Sequence, residues 1–261
     1  MNKLYAVRDG WRSLLAAHQV IAIIRAPSLG VGLAMSRAVA AGGFRLIEIT
    51  WNNNAEPSQM MAAVRQALPH CVIGAGSILT LEDLNSALAA GAQFCFTPHT
   101  DHLLIRSAST QGVPLVAGAM TPTEVISAWR AGASGVKVFP ISALGNGAYI
   151  RSLLGPLGPI PLVPTGGVTI ESAPKLIAAG AVAVGLSTAL FPAQEVARGD
   201  WSAIEVRSRY LLALLSKVSN SYETSGLKDA SSGFQAGLHL AAQLESFDKQ
   251  SVNHSELKSI E

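Results

Sequence analysis

Short apolar runs rich in β-branched residues alternate along the chain with ten-odd-residue stretches of helical periodicity. That pattern predicts βαβ units and a parallel sheet. Eight such runs occur, at 20–25, 45–50, 71–75, 93–97, 114–118, 135–139, 161–165 and 181–186. Their starts lie roughly 20 to 26 residues apart, room for a strand, a crossover helix and two short loops. At four junctions a helical pattern ends in Ala41-Gly42-Gly43, Ala90-Gly91-Ala92, Ala131-Gly132-Ala133 or Ala179-Gly180-Ala181, just before a strand. Glycine there can take the left-handed conformation that stops a helix. The fold class read from this repeat is α/β, a closed (β/α)8 TIM barrel, with an open doubly wound sheet as the alternative.

Residues 1–19 carry an amphipathic pattern in Leu4, Trp11, Leu14 and Leu15, which predicts a helix capping the bottom of the barrel. The last helix is expected over 201–216. The sequence then turns to Ser, Asn, Gln and Lys, with net charge −2 against +4 for residues 1–216. The division is one barrel domain, 1–216, and a polar, flexible tail, 217–261, with a short helix near 237–246. With 49% hydrophobic and 14% charged residues and a formal charge of +2, nothing resembles a basic stripe for nucleic acid. No run is apolar enough to span a membrane. Two cysteines in apolar runs, Cys71 and Cys95, read as reduced thiols of a cytoplasmic protein.

In strands this apolar, an ionisable side chain needs a reason, because an unpaired buried charge is costly. Lys137 is the only one of seven lysines inside a predicted strand, and Glu48 is flanked likewise by Leu46-Ile47 and Ile49-Thr50. Strand parity puts Glu48 on one face with Leu46 and Thr50, and Lys137 with Gly135 and Phe139. If these faces point inward, the second and sixth strands present the two side chains across one lumen. A lysine in apolar surroundings is partly neutral amine, the nucleophile that condenses with a ketone. A nearby carboxylate supplies the proton transfers. A purely structural buried pair is the alternative.

Gly74-Ala75-Gly76-Ser77 follows the third run, Thr165-Gly166-Gly167-Val168 the seventh, and Gly185-Leu186-Ser187-Thr188 ends the eighth. Glycine turns after strands seven and eight are where barrels hold a phosphate. A dinucleotide fingerprint and a P-loop are both missing, which disfavours nicotinamide and ATP chemistry. His99, Asp101 and His102 could ligate a metal, but the first turn of a helix capped near Thr97 or Thr100 explains them better. Arg25 ends the first strand, where a guanidinium can hold a carboxylate or phosphate; a surface ion pair is its alternative.

Together Leu46-Ile47-Glu48-Ile49-Thr50, Gly74-Ala75-Gly76-Ser77, Thr97-Pro98, Val136-Lys137-Val138-Phe139-Pro140 and Pro164-Thr165-Gly166-Gly167-Val168 resemble the 2-keto-3-deoxy-6-phosphogluconate aldolase family, including its phosphogalactonate branch. The resemblance runs over about 20–192. It implies a (β/α)8 barrel, usually a homotrimer, that cleaves a 2-keto-3-deoxy-6-phospho sugar acid to pyruvate and glyceraldehyde 3-phosphate with neither metal nor cofactor. By position, Lys137 would form the Schiff base and Glu48 would move protons. Ser77, Pro98 and Thr165 would line the pyruvate end, and Gly166, Gly167 and Ser187 would bind phosphate.

Three positions depart from the family. Asn52 stands where the gluconate enzymes have an arginine, and with Arg25 it looks more like the galactonate branch, making both candidate substrate-binding residues. Ser77 replaces a commoner threonine, and Leu186 replaces a glycine near the phosphate. These departures keep open a smaller 2-keto acid substrate, 4-hydroxy-2-oxoglutarate or oxaloacetate, cleaved or decarboxylated by the same lysine. A non-catalytic barrel that only binds such a ligand is the reading of another class.

Overall fold

The structure is a computed structural model that describes residues 3–52 and 56–224. Its strands are β1 (Val20–Ile24), β2 (Leu46–Thr50), β3 (Val72–Gly76), β4 (Cys95–Phe96), β5 (Leu115–Ala119), β6 (Gly135–Val138), β7 (Leu162–Pro164) and β8 (Val184–Leu186). All pair in parallel, in the order β7-β6-β5-β4-β3-β2-β1-β8. The two ends of that order meet through a bridge from Thr165 to Gly185 and a bond from Val182 N–H to the Leu162 carbonyl, 3.0 Å. The sheet is therefore a barrel and the open doubly wound alternative falls.

The helices are α1 (Lys3–His18), α2 (Leu29–Ala41), α3 (Pro57–Ala67), α4 (Leu81–Ala89), α5 (His102–Gln111), α6 (Pro122–Ala131), α7 (Gly147–Leu157), α8 (Ser172–Ala178), α9 (Ala193–Arg198) and α10 (Trp201–Thr224). Polar side chains start them. Thr80 with Asp83 and Thr121 with Glu124 form reciprocal capping boxes on α4 and α6. The α5 cap is Asp101, whose carboxylate accepts from the Leu103 and Leu104 N–H groups at 2.7 and 3.1 Å. That corrects the expectation of Thr97 or Thr100, since both hydroxyls are bonded elsewhere. At the four repeated junctions Gly43, Gly91, Gly132 and Gly180 have φ of 105, 95, 108 and 104°, a region glycine enters without strain. The last helix runs eight residues past the expected end at 216. The expected helix near 237–246 lies outside the described residues.

Strand parity divides the apolar residues into two cores. Outward-facing side chains such as Ala22, Ile24, Ile47, Ile49, Val136 and Val184 pack under the helices. Inward-facing Ile21, Leu46, Phe94, Phe96, Val116 and Val163 fill the lower lumen together with Trp11 and Leu15 of α1. The Trp11 and Phe94 rings stack 4.8 Å apart, and Phe96 meets Phe94 edge-on at 5.8 Å. The N-terminal helix thus plugs the barrel bottom, as its amphipathic pattern predicted. The Arg8 guanidinium lies 3.5 Å over the Trp129 ring, pinning α1 to the end of α6.

Candidate active site

Above the Phe94–Phe96 layer the lumen changes character. Glu48 of β2 and Lys137 of β6 point inward, two residues beyond Leu46 and Gly135 on their respective strands. Both are buried, at 1% and 6% exposure. They line one cavity of about 240 Å³ at the C-terminal ends of the strands, where barrel enzymes do their chemistry.

Space for these side chains comes from glycines on neighbouring strands. A Cβ at Gly76 would overlap the Glu48 carboxylate, and one at Gly185 would press on the Thr165 hydroxyl and Ile23. Ser77 completes the turn after β3 with φ of 60°, unusual for a non-glycine residue.

Burial dominates the electrostatics. It pushes the Glu48 carboxyl above the usual carboxylate range, with the positive charges of Lys137 and Arg25 pulling part of the way back. It pushes the Lys137 ammonium below the usual lysine range, opposed by Glu48 and assisted by Arg25. The two side chains do not form an ion pair within 4 Å, and Glu48 Oε2 has no hydrogen-bond partner among the described residues. Lys137 Nζ sits 4.8 Å over the Phe139 ring. Each group is thus held toward its neutral form, a poised amine beside a carboxyl that can give or take a proton.

Of the other residues singled out from sequence, Arg25, Ser77, Pro98, Thr165, Gly166, Gly167 and Ser187 all border this cavity. Arg25 is solvent-exposed and makes no ion pair within 4 Å among the described residues, so its surface-pair alternative is not realised. Asn52 is not brought in: it lies exposed in the turn after β2, and residues 53–55 lie outside the described ones. Leu186 is no obstacle to a phosphate, because its side chain faces outward into the helix layer. The His99–Asp101–His102 cluster is engaged otherwise: Asp101 caps α5 and His102 Nε2 bonds Ser127 Oγ at 2.8 Å. Sequence reasoning gave no site role to Ile23, Thr50, Gly185, Val168 and Thr188, although all five border the cavity and Thr50 shares the inward face it assigned to Glu48. Parity with Arg25, Glu48 and Ser187 was the signal for the first three; the last two lie in loops that carry no periodic signal.

The family model for KDPG and KHG aldolase matches residues 12–206. The chain is 31% identical over 197 residues to the 2-dehydro-3-deoxy-phosphogluconate aldolase of Treponema pallidum, covering 76% of this chain and 93% of that one. It is 35% identical over 175 residues to the 2-dehydro-3-deoxy-6-phosphogalactonate aldolase of Escherichia coli K12, covering 67% and 85%. A solved structure described as native KDPGal superposes with a TM-score of 0.71 at 30% identity, covering 77% of this chain and 96% of that one. With the barrel, the lysine and the glutamate in place, the chain belongs to the KDPG and KHG aldolase family.

Proposed function

We propose that this protein is a class I aldolase that cleaves a 2-keto-3-deoxy-6-phospho sugar acid to pyruvate and glyceraldehyde 3-phosphate. The observation that carries the reading is the pair of buried ionisable groups, Glu48 and Lys137, facing one small cavity at the catalytic end of the barrel. The neutral Lys137 amine attacks the C2 ketone, and Glu48 protonates the carbinolamine hydroxyl, which leaves as water. In the resulting iminium the Glu48 carboxylate takes the C4 hydroxyl proton. The C3–C4 bond breaks, its electrons pass into the iminium, and the aldehyde departs. The enamine left on Lys137 takes a proton at C3 and is hydrolysed to pyruvate, restoring the amine.

Ser77, Pro98 and Thr165 form the wall around the pyruvate end. Gly166, Gly167 and Ser187 take the phosphate. The N–H groups of Gly166 and Gly167 donate to no backbone carbonyl among the described residues, and both glycines have positive φ, 85 and 79°. Such a turn is a ready anion cradle. Arg25 lends positive charge to the substrate carboxylate or phosphate. The displacement of Asn52 from the cavity favours one second reading, a smaller 2-keto acid such as 4-hydroxy-2-oxoglutarate or oxaloacetate. The working unit is a homotrimer. Among the described residues, four of the six exposed large apolar side chains, Leu79, Leu81, Leu103 and Met120, follow the C-terminal ends of β3, β4 and β5, where contact with another copy would cover them. Free, buried Cys71 and Cys95 suit a cytoplasmic location.

The test is pyruvate release in EDTA from the gluconate and galactonate epimers, from 4-hydroxy-2-oxoglutarate and from oxaloacetate at matched concentrations. A kcat/KM for one phosphorylated epimer about a hundredfold above the others is the expected result, ~2.7 kcal/mol of transition-state binding. Preference for a smaller acid installs the second reading. No borohydride-trapped adduct with any of them leaves a non-catalytic barrel.

A further inference from the structure

Helix α10 is apolar on two sides. One side is a seam of Ile204, Ser208, Leu211 and Leu215, buried where the helix packs against α2 and α8. The fit is tight there, since a Cβ on Gly42 at the end of α2 would overlap the Ser208 side chain. The other side faces solvent. Val206 is 60% and Tyr210 58% exposed, Ala213 is exposed, and Leu214 beside them is half-buried. Spacings of four and three residues put Val206, Tyr210 and Ala213 on one stripe. A surface helix ordinarily keeps a polar face opposite its buried one, so an apolar stripe in that place calls for a cover.

The chain itself continues past α10 with residues 225–261, which lie outside the described ones. Within them one stretch has a helical period. Phe234, Leu238 and Ala241, with Leu240, Leu244 and Phe247 alongside, fall on one arc, and Gln235, His239, Gln243 and Ser246 fall on the opposite one. So short an amphipathic helix is marginal in water unless its apolar arc is packed against something. The link to α10, residues 225–232, reads Ser-Gly-Leu-Lys-Asp-Ala-Ser-Ser, and antiparallel helices are commonly joined by roughly 2 to 8 residues. Tyr210 lies ~21 Å back along α10 from Thr224, and a helical return starting at Gly233 covers about the same distance by Phe247. Leu244 then comes level with Ala213, and Phe247 with Tyr210. Charge agrees as well. The exposed charges beside the stripe are Arg209, which also pairs with Glu205, and Lys217, whereas the far end of the segment carries Glu245 and Asp248.

We infer that residues 234–247 of the same chain fold back as an antiparallel helix on the outer face of α10, covering Val206 and Tyr210 and closing a helical hairpin on the outside of the barrel. The tail is then polar on one face only. This contact is separate from the chemistry at Lys137 and uses none of the residues around that cavity.

The experiment is amide hydrogen exchange of the full-length protein, followed by mass on peptides spanning 234–247. In wild type these amides should exchange at least about tenfold more slowly than an unstructured chain, equally so after a tenfold dilution of the protein. Val206→Asp and Tyr210→Asp, both at exposed positions, should each quicken them about tenfold while the strands keep their wild-type exchange. Leu103→Asp makes the same change on α5, at a side chain 67% exposed, and should leave the segment unchanged. Unprotected amides in wild type overturn the inference, as does protection that survives both α10 substitutions or is lost equally in Leu103→Asp. Protection that disappears on dilution makes the occupant a second copy and overturns it too. If Tyr210→Asp also quickens the strands, Val206→Asp decides, and the same result in both marks the stripe as structural and overturns the inference.

Discussion

The two ends of the barrel lumen are built from the same strands and the same parity, yet they behave oppositely. At the bottom, Leu46, Phe94, Val116 and Val163 close over Trp11 and Leu15 without a charge among them. Two residues further along, Leu46 gives way to Glu48, Val163 to Thr165 and Ala183 to Gly185, and a cavity opens. The difference teaches how a barrel keeps unpaired charges in its interior. One end supplies the apolar burial, and the other uses the rigidity this confers to hold two ionisable groups in an environment that shifts both toward neutrality.

Substitutions can break this contrast. The largest effect should come from Lys137→Ala: the borohydride adduct and turnover should vanish together, and wild-type-like turnover would refute the Schiff-base mechanism. Glu48→Gln should still form adduct slowly while turnover drops by about 10² to 10⁴, the usual worth of a positioned acid–base group. Near-normal turnover would remove Glu48 from proton transfer.

Gly76→Ala probes the hollow rather than the charges. Its methyl needs the space the Glu48 carboxylate occupies, so kcat should fall by about tenfold while the fold survives; a variant with unchanged kcat would show that Glu48 moves aside freely. A gentler test is pH. Raising pH converts the Lys137 ammonium to the reactive amine, so the trapping rate should climb with pH about a midpoint below the ordinary 10.5. In Glu48→Gln the midpoint should drop further, because the charge that favours the ammonium is gone. A wild-type midpoint at or above 10.5 would mark a solvated lysine. The smallest effect on turnover is expected at the opposite end: Trp11→Ala should cost about 3–5 kcal/mol of stability by urea unfolding, yet leave kcat of the folded protein within about twofold. A large loss of kcat there would couple the two ends.

Most of the barrel was legible because buried parallel strands are continuous apolar runs, and Glu48 and Lys137 stood out as ionisable residues within them. Parity even contained the answer for Leu186: with Gly185 inward, Leu186 had to face the helices. What was not legible depends on geometry without a period. The choice of Asp101 over Thr97 or Thr100 as the α5 cap turns on where the chain leaves β4, which Pro98 sets and no spacing announces. The position of Asn52 likewise depends on a loop path, not on an alternation.

The plug formed by α1 has a kinetic meaning. A lumen stoppered below has a single doorway, so whatever is bound deepest must wait for whatever lies nearer the mouth. In the proposed mechanism the three-carbon fragment is tethered to Lys137 at depth, so the phosphorylated aldehyde leaves first and the keto acid second. The tether sets that order, and the helix at the bottom sends both products out by the same mouth.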